Sequence, residues 1–450
     1  MMNQVDKQIG KLAYFLWEKK EGGNRLAEHR RLQEQAYWAP ERLKALQIHK
    51  LNQLLKHAQA TSPWYRRQMQ QLGIDPGKQT ISLTDFRRFP ITTKANIRES
   101  TDEFISSQYN KDSLNKAKTG GSTGVSLNLF FDERCQQYRN AAQMFADGLA
   151  GWETGSRVAA VWGNPPVAET LKEKIRWWLL ERTIYLDTMD LNPKSMSDFV
   201  QSWRSYQPEV VFGHSHSIYI FAQFLVDKGI NDLRPKGIVT TSMMLLDQER
   251  KIIEQAFACP VTNRYGCEEV GLIAVECEKH QGMHINSPHI ILECLDGNDQ
   301  PCAPGESGKL VITDLNNYGM PLIRYRVEDV GVLSPSPCSC GRQLPLLQRL
   351  EGRVADFLKK ADGGQVAGVS LVERTLTKIP GIQQMQLVQE SLDELIINRV
   401  KGPEYQPATD AALEEEFRQV FGDQVRLLIK DVEKIPQEKS GKYRFSICKI

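Results

Sequence analysis

The chain has 450 residues, enough for two or three domains that each bury a core. Its 57 Lys and Arg nearly balance 55 Asp and Glu, and no segment carries a sustained basic block, which speaks against nucleic acid or an anionic membrane as the main partner. The first twenty residues lack an apolar core with a small-residue cleavage site and no apolar run reaches membrane-spanning length, so a cytoplasmic enzyme with no membrane span is the default expectation.

From Arg25 to about Gln70 the pattern is helical, with Leu43, Leu46, Leu51, Leu54, Leu55 and Ala58 recurring on one face, and we expect a helical cap over roughly residues 1–100. Ser62-Pro63-Trp64-Tyr65 closes that region, and Phe89-Pro90-Ile91-Thr92-Thr93-Lys94 turns into a short helix capped by Thr92 or Thr93. Next comes Lys118 to Phe131, where Thr119, Gly120, Gly121, Ser122, Thr123 and Gly124 interrupt an ordinary globular sequence. Glycines let the backbone approach an anion while hydroxyls and clustered N–H groups donate to phosphate oxygens. Val125 and Ser126 stand where a Walker A loop needs Lys and Ser/Thr, and no Gly-x-Gly-x-x-Gly can be written across it; taken alone, such a loop is more often a plain turn.

Short Val- and Ile-rich runs at residues 157–163, 209–213, 237–242 and 261–266 alternate with amphipathic helices, which predicts an α/β sheet with ligand contacts at strand ends. From His289 to Leu333 closely spaced strands with tight turns predict a small antiparallel sheet or barrel, reaching to about residue 350 and appended to the α/β body. Leu350-Glu351-Gly352-Arg353 reads as a hinge. The last hundred residues predict a smaller α+β unit with strands at 384–388, 395–400 and 425–432 and a helix at 411–421. The division is then a body over 1–350 and a second domain over 351–450.

Four stretches carry candidate chemistry. In Tyr265-Gly266-Cys267-Glu268-Glu269, at a strand end, a ring can stack on a base and a carboxylate can hold a divalent metal. In Arg324-Tyr325-Arg326-Val327-Glu328-Asp329 an acidic group can accept both hydroxyls of a ribose. The others are Gly352-Arg353-Val354-Ala355-Asp356 and Ser440-Gly441-Lys442-Tyr443-Arg444. Each alone is weak.

Their order and spacing resemble the adenylate-forming superfamily of acyl-CoA synthetases and adenylation domains, in the phenylacetate-CoA ligase branch with the CapK-like proteins and coenzyme F390 synthetases. The resemblance also rests on Leu51-Asn-Gln-Leu-Leu-Lys-His-Ala, Phe89-Pro-Ile-Thr-Thr-Lys and Met320-Pro-Leu-Ile-Arg-Tyr-Arg, and covers almost the whole chain. It implies that Thr119, Ser122, Thr123 and Gly124 grip ATP phosphates, that Thr240, Thr241 and Ser242 line the nucleotide pocket, and that Tyr265 stacks on adenine beside Gly266. Glu269 would bind Mg2+, Asp329 the ribose, Arg353 the ribose or phosphate, and Lys442 the α-phosphate and the acid's carboxylate. The second domain would be mobile, turning about the hinge between two half-reactions. The family pattern is departed from in three places: Val125 follows Gly124 where Lys is frequent, Ala355 stands where an acid is usual, and a frequent carboxylate is missing from Thr241-Ser242-Met243-Met244.

Nine cysteines, an odd count, argue against a disulfide framework. Cys277-x2-His280 followed by Cys338-x-Cys340 fits a closed, structural zinc site, with His284 competing as the fourth ligand. His214 and His216 fall where the resemblance puts an acyl pocket, and Trp162 is a candidate neighbour. The expected activity is ATP-dependent activation of a carboxylic acid as its acyl-adenylate and transfer to coenzyme A. Transfer to an amine, as in modifying a surface polysaccharide, and a non-catalytic nucleotide-binding scaffold are the alternatives. A homodimer is left open.

Overall fold

The computed structural model describes residues 2–118, 127–163, 165–166, 169–353, 357–361, 365–436 and 443–450. Four helices open the chain, Met2–Lys20, Arg25–Gln35, Pro40–Thr61 and Pro63–Leu72. Leu43, Leu51, Leu54, Leu55 and Ala58 are buried along the third, the face its periodicity marks. Pro63 does not end the helical region. It occupies the first turn of the fourth helix, where a missing N–H costs nothing, and that helix stops at Gly73 with φ 65°.

Of the two candidate cap residues, Thr93 caps Lys94–Glu99: its hydroxyl accepts from the Asn96 amide while the Asn96 side chain returns to Thr93. Thr92 does something else. Its amide donates to Arg324 O and its hydroxyl to Ile323 O, both at 2.9 Å, pinning the helical cap to the chain entering the strand Tyr325–Leu333.

One sheet of eleven strands organises the body. In pairing order it runs Ile290–Leu295, Ser307–Asp314, Tyr325–Leu333, Leu346–Arg353, Met283–Ile285, Gly271–Glu276, Val261–Cys267, Gly237–Thr241, Val210–His214, Val158–Trp162, Thr183–Asp187. The last five are parallel and the rest antiparallel. Ala159, Val161, Val211, Ile238 and Val261 are all fully buried in one cluster with helices, which is why these strands read as continuous apolar runs.

The antiparallel region expected from residue 289 starts earlier, at Gly271, and is continuous with the parallel half through Val261–Cys267. Leu350 to Arg353, expected as a hinge, are strand residues: Gly352 lies opposite Val330 and Arg353 opposite Asp329. Ala355 and Asp356 fall outside the described residues. Beyond them a four-stranded sheet, ordered Arg426–Asp431, Glu394–Lys401, Ile382–Ser391, Ser446–Cys448, packs against the helices Gly368–Lys378 and Pro407–Phe421. Leu371, Val372, Leu413 and Phe417 fill that separate core.

Candidate active site

Parallel strands present their carboxyl ends along one edge of a sheet, where open α/β folds bind ligands. Here that edge carries Trp162, His214, Thr240 with Thr241, and Tyr265 with Gly266. His214 pairs in register with Thr241, and the Trp162 ring lies 4.1 Å from the His214 ring and 5.1 Å from Phe212, so an aromatic wall stands at the position expected for an acyl pocket. Thr240 and Thr241 are buried, and Ser242 turns the chain out of the strand with φ 69°. Gly266 is required sterically: a Cβ there would sit 2.6 Å from the Gly271 carbonyl oxygen.

Two tyrosine–carboxylate bonds join the stretches Tyr265–Glu269 and Arg324–Asp329 crosswise. The Tyr265 hydroxyl donates to Asp329 Oδ2 at 2.6 Å, and the Tyr325 hydroxyl donates to Glu269 Oε1 at 2.8 Å. Tyr325 is fully buried and Glu269 nearly so. Burial first, and then the Glu269 charge, push the Tyr325 phenol far above its usual range, so it stays a donor. Lys94 Nζ holds Glu328 at 2.8 Å beside them.

The hairpin of Asn115–Lys118 and Asn128–Phe131 is tied to the same place. Arg139 lies 4.0 Å from the Phe131 ring centroid and donates to Glu268 O at 2.9 Å, next to Glu269. Asp132, directly after the hairpin, accepts from the Tyr318 and Gly319 amides at 2.8 and 3.0 Å. Thr119, Ser122, Thr123 and Gly124 lie outside the described residues, as does Lys442, while the strands flanking the loop pair Lys118 with Asn128. Arg353 is placed by its backbone, opposite Asp329.

His216 is not part of the aromatic wall. It bonds Glu249 through Nδ1, both groups being buried, and its ring lies 4.3 Å from Tyr443 and 4.9 Å from Phe445 of the C-terminal unit. The residue directly after Lys442 is therefore seated on the α/β body. His216 is the second residue of the helix Ser215–Asp227 and lies about 200° around it from His214, so the closeness of the two histidines in sequence does not put them on one face.

Cys277, His284, Cys338 and Cys340 offer ligand atoms that all lie within 4.8 Å of one another. Cys277 Sγ is 3.6 Å from Cys338 Sγ, and Cys340 Sγ is 3.2 Å from His284 Nε2. Metal–sulfur bonds of about 2.3 Å in a tetrahedron separate sulfurs by about 3.8 Å, so the set fits zinc with little movement. The other ring nitrogen of His284 faces Leu344 O at 3.4 Å, the outer-shell partner that metal-bound imidazoles use. Burial pushes the Cys277 thiol up to about 12. At Cys340 burial acts the same way, but the main-chain amide and guanidinium of Arg342 outweigh it and bring the thiol down. His280, the expected fourth ligand, is a correction: its ring lies 3.3 Å from Glu276 and 3.4 Å from Arg250, at a turn with φ 49°. His284 is in a strand, in register with Leu346 and buried.

A model of the CapK C-terminal domain family matches residues 358–449. Protein CapK of Staphylococcus aureus is 26% identical over 82% of each chain. A phenylacetate-coenzyme A ligase of Thermus thermophilus is 24% identical over 76% of this chain and 77% of its own. Among solved structures, a 2-hydroxyisobutyryl-CoA ligase in the postadenylation state in complex with 2-HIB-AMP superposes with a TM-score of 0.73 at 19% identity, covering 92% of this chain and 90% of that one.

Proposed function

We propose that the chain is an adenylate-forming ligase, similar to CapK and the phenylacetate-CoA ligases, and that it activates a carboxylic acid with ATP and passes the acyl group to coenzyme A. The observation that carries this is the crosswise pairing of Tyr265 with Asp329 and Tyr325 with Glu269. It preorganises a ring and two carboxylates at the carboxyl edge of the sheet, ready for a nucleotide.

In this reading Tyr265 stacks on adenine, Asp329 accepts from the ribose, and Thr240, Thr241 and Ser242 wall the base. Thr119, Ser122, Thr123 and Gly124 hold the phosphates and Arg353 reaches the ribose or a phosphate. The acid lies against Trp162 and His214, and one carboxylate oxygen attacks the α-phosphorus. A P–O bond forms as the bond to the β-phosphate breaks, and pyrophosphate leaves. Lys442 brings a movable positive charge to the α-phosphate. Tyr325 fixes one oxygen of Glu269 and so orients the carboxylate that would hold Mg2+, whose charge offsets that of the phosphates. The coenzyme A thiol then attacks the acyl carbon and AMP departs. The unit that follows the strand Leu346–Arg353 acts as the lid, seated on His216 through Tyr443 and Phe445.

Zinc at Cys277, His284, Cys338 and Cys340 is structural, since four protein ligands leave no open position. It ties the segment after Glu269 to the one after Asp329. ATP, coenzyme A and nine unpaired thiols suit the reducing cytoplasm. The test is carboxylate-dependent exchange of labelled pyrophosphate into ATP, lost in Lys442→Ala; no exchange with a broad acid panel would leave only a nucleotide-binding scaffold. The likeness to CapK goes with a second reading, transfer of the acyl group to an amine to give an amide, as in modifying a surface polysaccharide. Product analysis with coenzyme A against amines separates the two.

A further inference from the structure

The N-terminal helix Met2–Lys20 sits on the body with its polar side inward. Asp6 bonds Arg157 at 2.7 Å and also Arg182, Lys7 Nζ reaches Glu209 at 3.0 Å, and buried Glu18 accepts from the Leu26 amide at 2.8 Å. Its apolar stripe faces away: Val5, Ile9, Leu12, Phe15 and Leu16 are 61, 43, 59, 53 and 55% exposed. The spacing of Val5, Ile9, Leu12 and Leu16 is that of one helix face.

The neighbouring helix Leu171–Arg176 and the π-helical turn Trp177–Glu181 also expose apolar side chains, with Leu171, Ile175 and Trp178 at 74, 49 and 55% exposed. Arg182 reaches Asp6, and the Arg176 guanidinium lies 5.7 Å from the Trp17 ring, so the two elements lie side by side. Eight of the eleven large exposed hydrophobics among the described residues belong to these two stretches. At about 100 Å² each they amount to roughly 800 Å², beyond the few hundred that a monomer's largest patch shows.

We propose that this face lies on the surface of an anionic lipid bilayer. The charge around it selects that occupant. Lys11, Lys19 and Lys20 are exposed on the first helix and Lys172, Lys174 and Arg176 on the second. The acids of the first helix are turned inward, Glu173 is engaged in the cap at Thr170, and Glu21, Glu169 and Glu181 are the other acids beside these six cations, which still outnumber the acids. A second copy docked here would bring cations against cations. Lipid phosphates supply the opposite sign, and lysine stems can lie along apolar surface while their ammonium groups reach the headgroups. The helix lies in the interface and does not cross it: none of the described helices is long and apolar enough to span a membrane. Whole-chain charge balance averages this local excess away.

The test is flotation of the full-length chain with phosphatidylcholine vesicles and with vesicles carrying three parts in ten phosphatidylglycerol. Binding to the anionic vesicles alone, weakened at high salt, is expected. Leu12→Glu with Leu16→Glu should weaken partitioning more than about tenfold. Lys19→Gln with Lys20→Gln should weaken it on the order of thirtyfold. These side chains are exposed, so melting curves should stay at the wild-type value. The proposal is overturned if the wild type ignores anionic vesicles, or if the Leu12→Glu, Leu16→Glu variant binds them equally. It is also overturned if sedimentation shows a dimer that this variant dissolves, which would assign the face to a second copy of the chain.

Discussion

Removing a single oxygen, in Tyr265→Phe, isolates what the bond to Asp329 contributes. The hydroxyl donates at 2.6 Å to a carboxylate, and bonds of that kind contribute about 1.5–3 kcal/mol. The ring stays, so stacking on adenine stays, and the variant tests only how firmly Asp329 is held for the ribose. That carboxylate is remote from the reacting α-phosphorus, so the loss should appear in binding: KM for ATP rises about 10- to 150-fold while kcat at saturating ATP changes by less than about threefold. Tyr265→Ala would add about 1–3 kcal/mol of lost stacking. Because Tyr265 is only 8% exposed it would also open a cavity, so Phe is the cleaner probe. The assay is pyrophosphate exchange against ATP concentration, with a melting curve to show that the fold persists. A Phe variant with wild-type KM for ATP, or one that loses kcat at unchanged KM, would refute the reasoning.

Elemental analysis should find one zinc per chain, kept in His280→Ala and lost in His284→Ala and Cys338→Ser, with a melting temperature lower by several degrees in the last two. Burial above all holds the His289 imidazole down at about 4, against 6.5 for the free side chain, even though its Nε2 lies 3.1 Å from Glu28. Between those values the unfolded chain takes up a proton that the folded one refuses. Stability therefore falls as pH drops from 6.5 to 4, by about 3 kcal/mol, and His289→Gln should flatten that slope in urea titrations at pH 7 and pH 5. Tyr443→Ala removes the ring seated on His216; we expect adenylation to slow about tenfold more than thioester formation from supplied acyl-adenylate, read in single turnovers, and equal slowing would dissociate this seat from the first half-reaction.

Much of the parallel half is legible in the sequence because its strands are buried on both faces. Residues 157–163, 209–213, 237–242 and 261–266 stand out as apolar runs for that reason. Thr183–Asp187, the edge strand, escaped: Thr183, Ile184 and Tyr185 are half-buried, and the local composition carries no strong period. Motif order brought the site residues into one list, but their pairing was invisible, since Tyr265 and Asp329 are bonded across a long stretch of chain that no local pattern encodes. The zinc ligand was misread for a related reason. Spacing favoured His280, while strand geometry selects His284. The N-terminal helix was passed over because its apolar stripe looks like a core face until the structure shows it pointing outward.

The crosswise bonds also constrain the shape of the sheet. In pairing order three strands separate Val261–Cys267 from Tyr325–Leu333, and at about 4.8 Å per step a flat sheet would hold them about 19 Å apart. Yet Tyr265 of the first touches Asp329 of the second at 2.6 Å. The antiparallel half must therefore curl back on itself, and the three-residue strand Met283–Ile285, paired with Leu346–Arg353 only through Leu346 and Leu347, is a narrow place at which it can. Val261–Cys267 belongs to both halves, parallel to one neighbour and antiparallel to the other, so the curl brings the far strand to the carboxyl edge where parallel sheets bind ligands. Each tyrosine then orients the carboxylate that the other segment supplies, and the two motif regions fix each other before any nucleotide arrives. Such mutual holding makes the pair a coupled unit: Tyr265→Phe and Tyr325→Phe should be less than additive in KM for ATP, because the first change already loosens what the second would release.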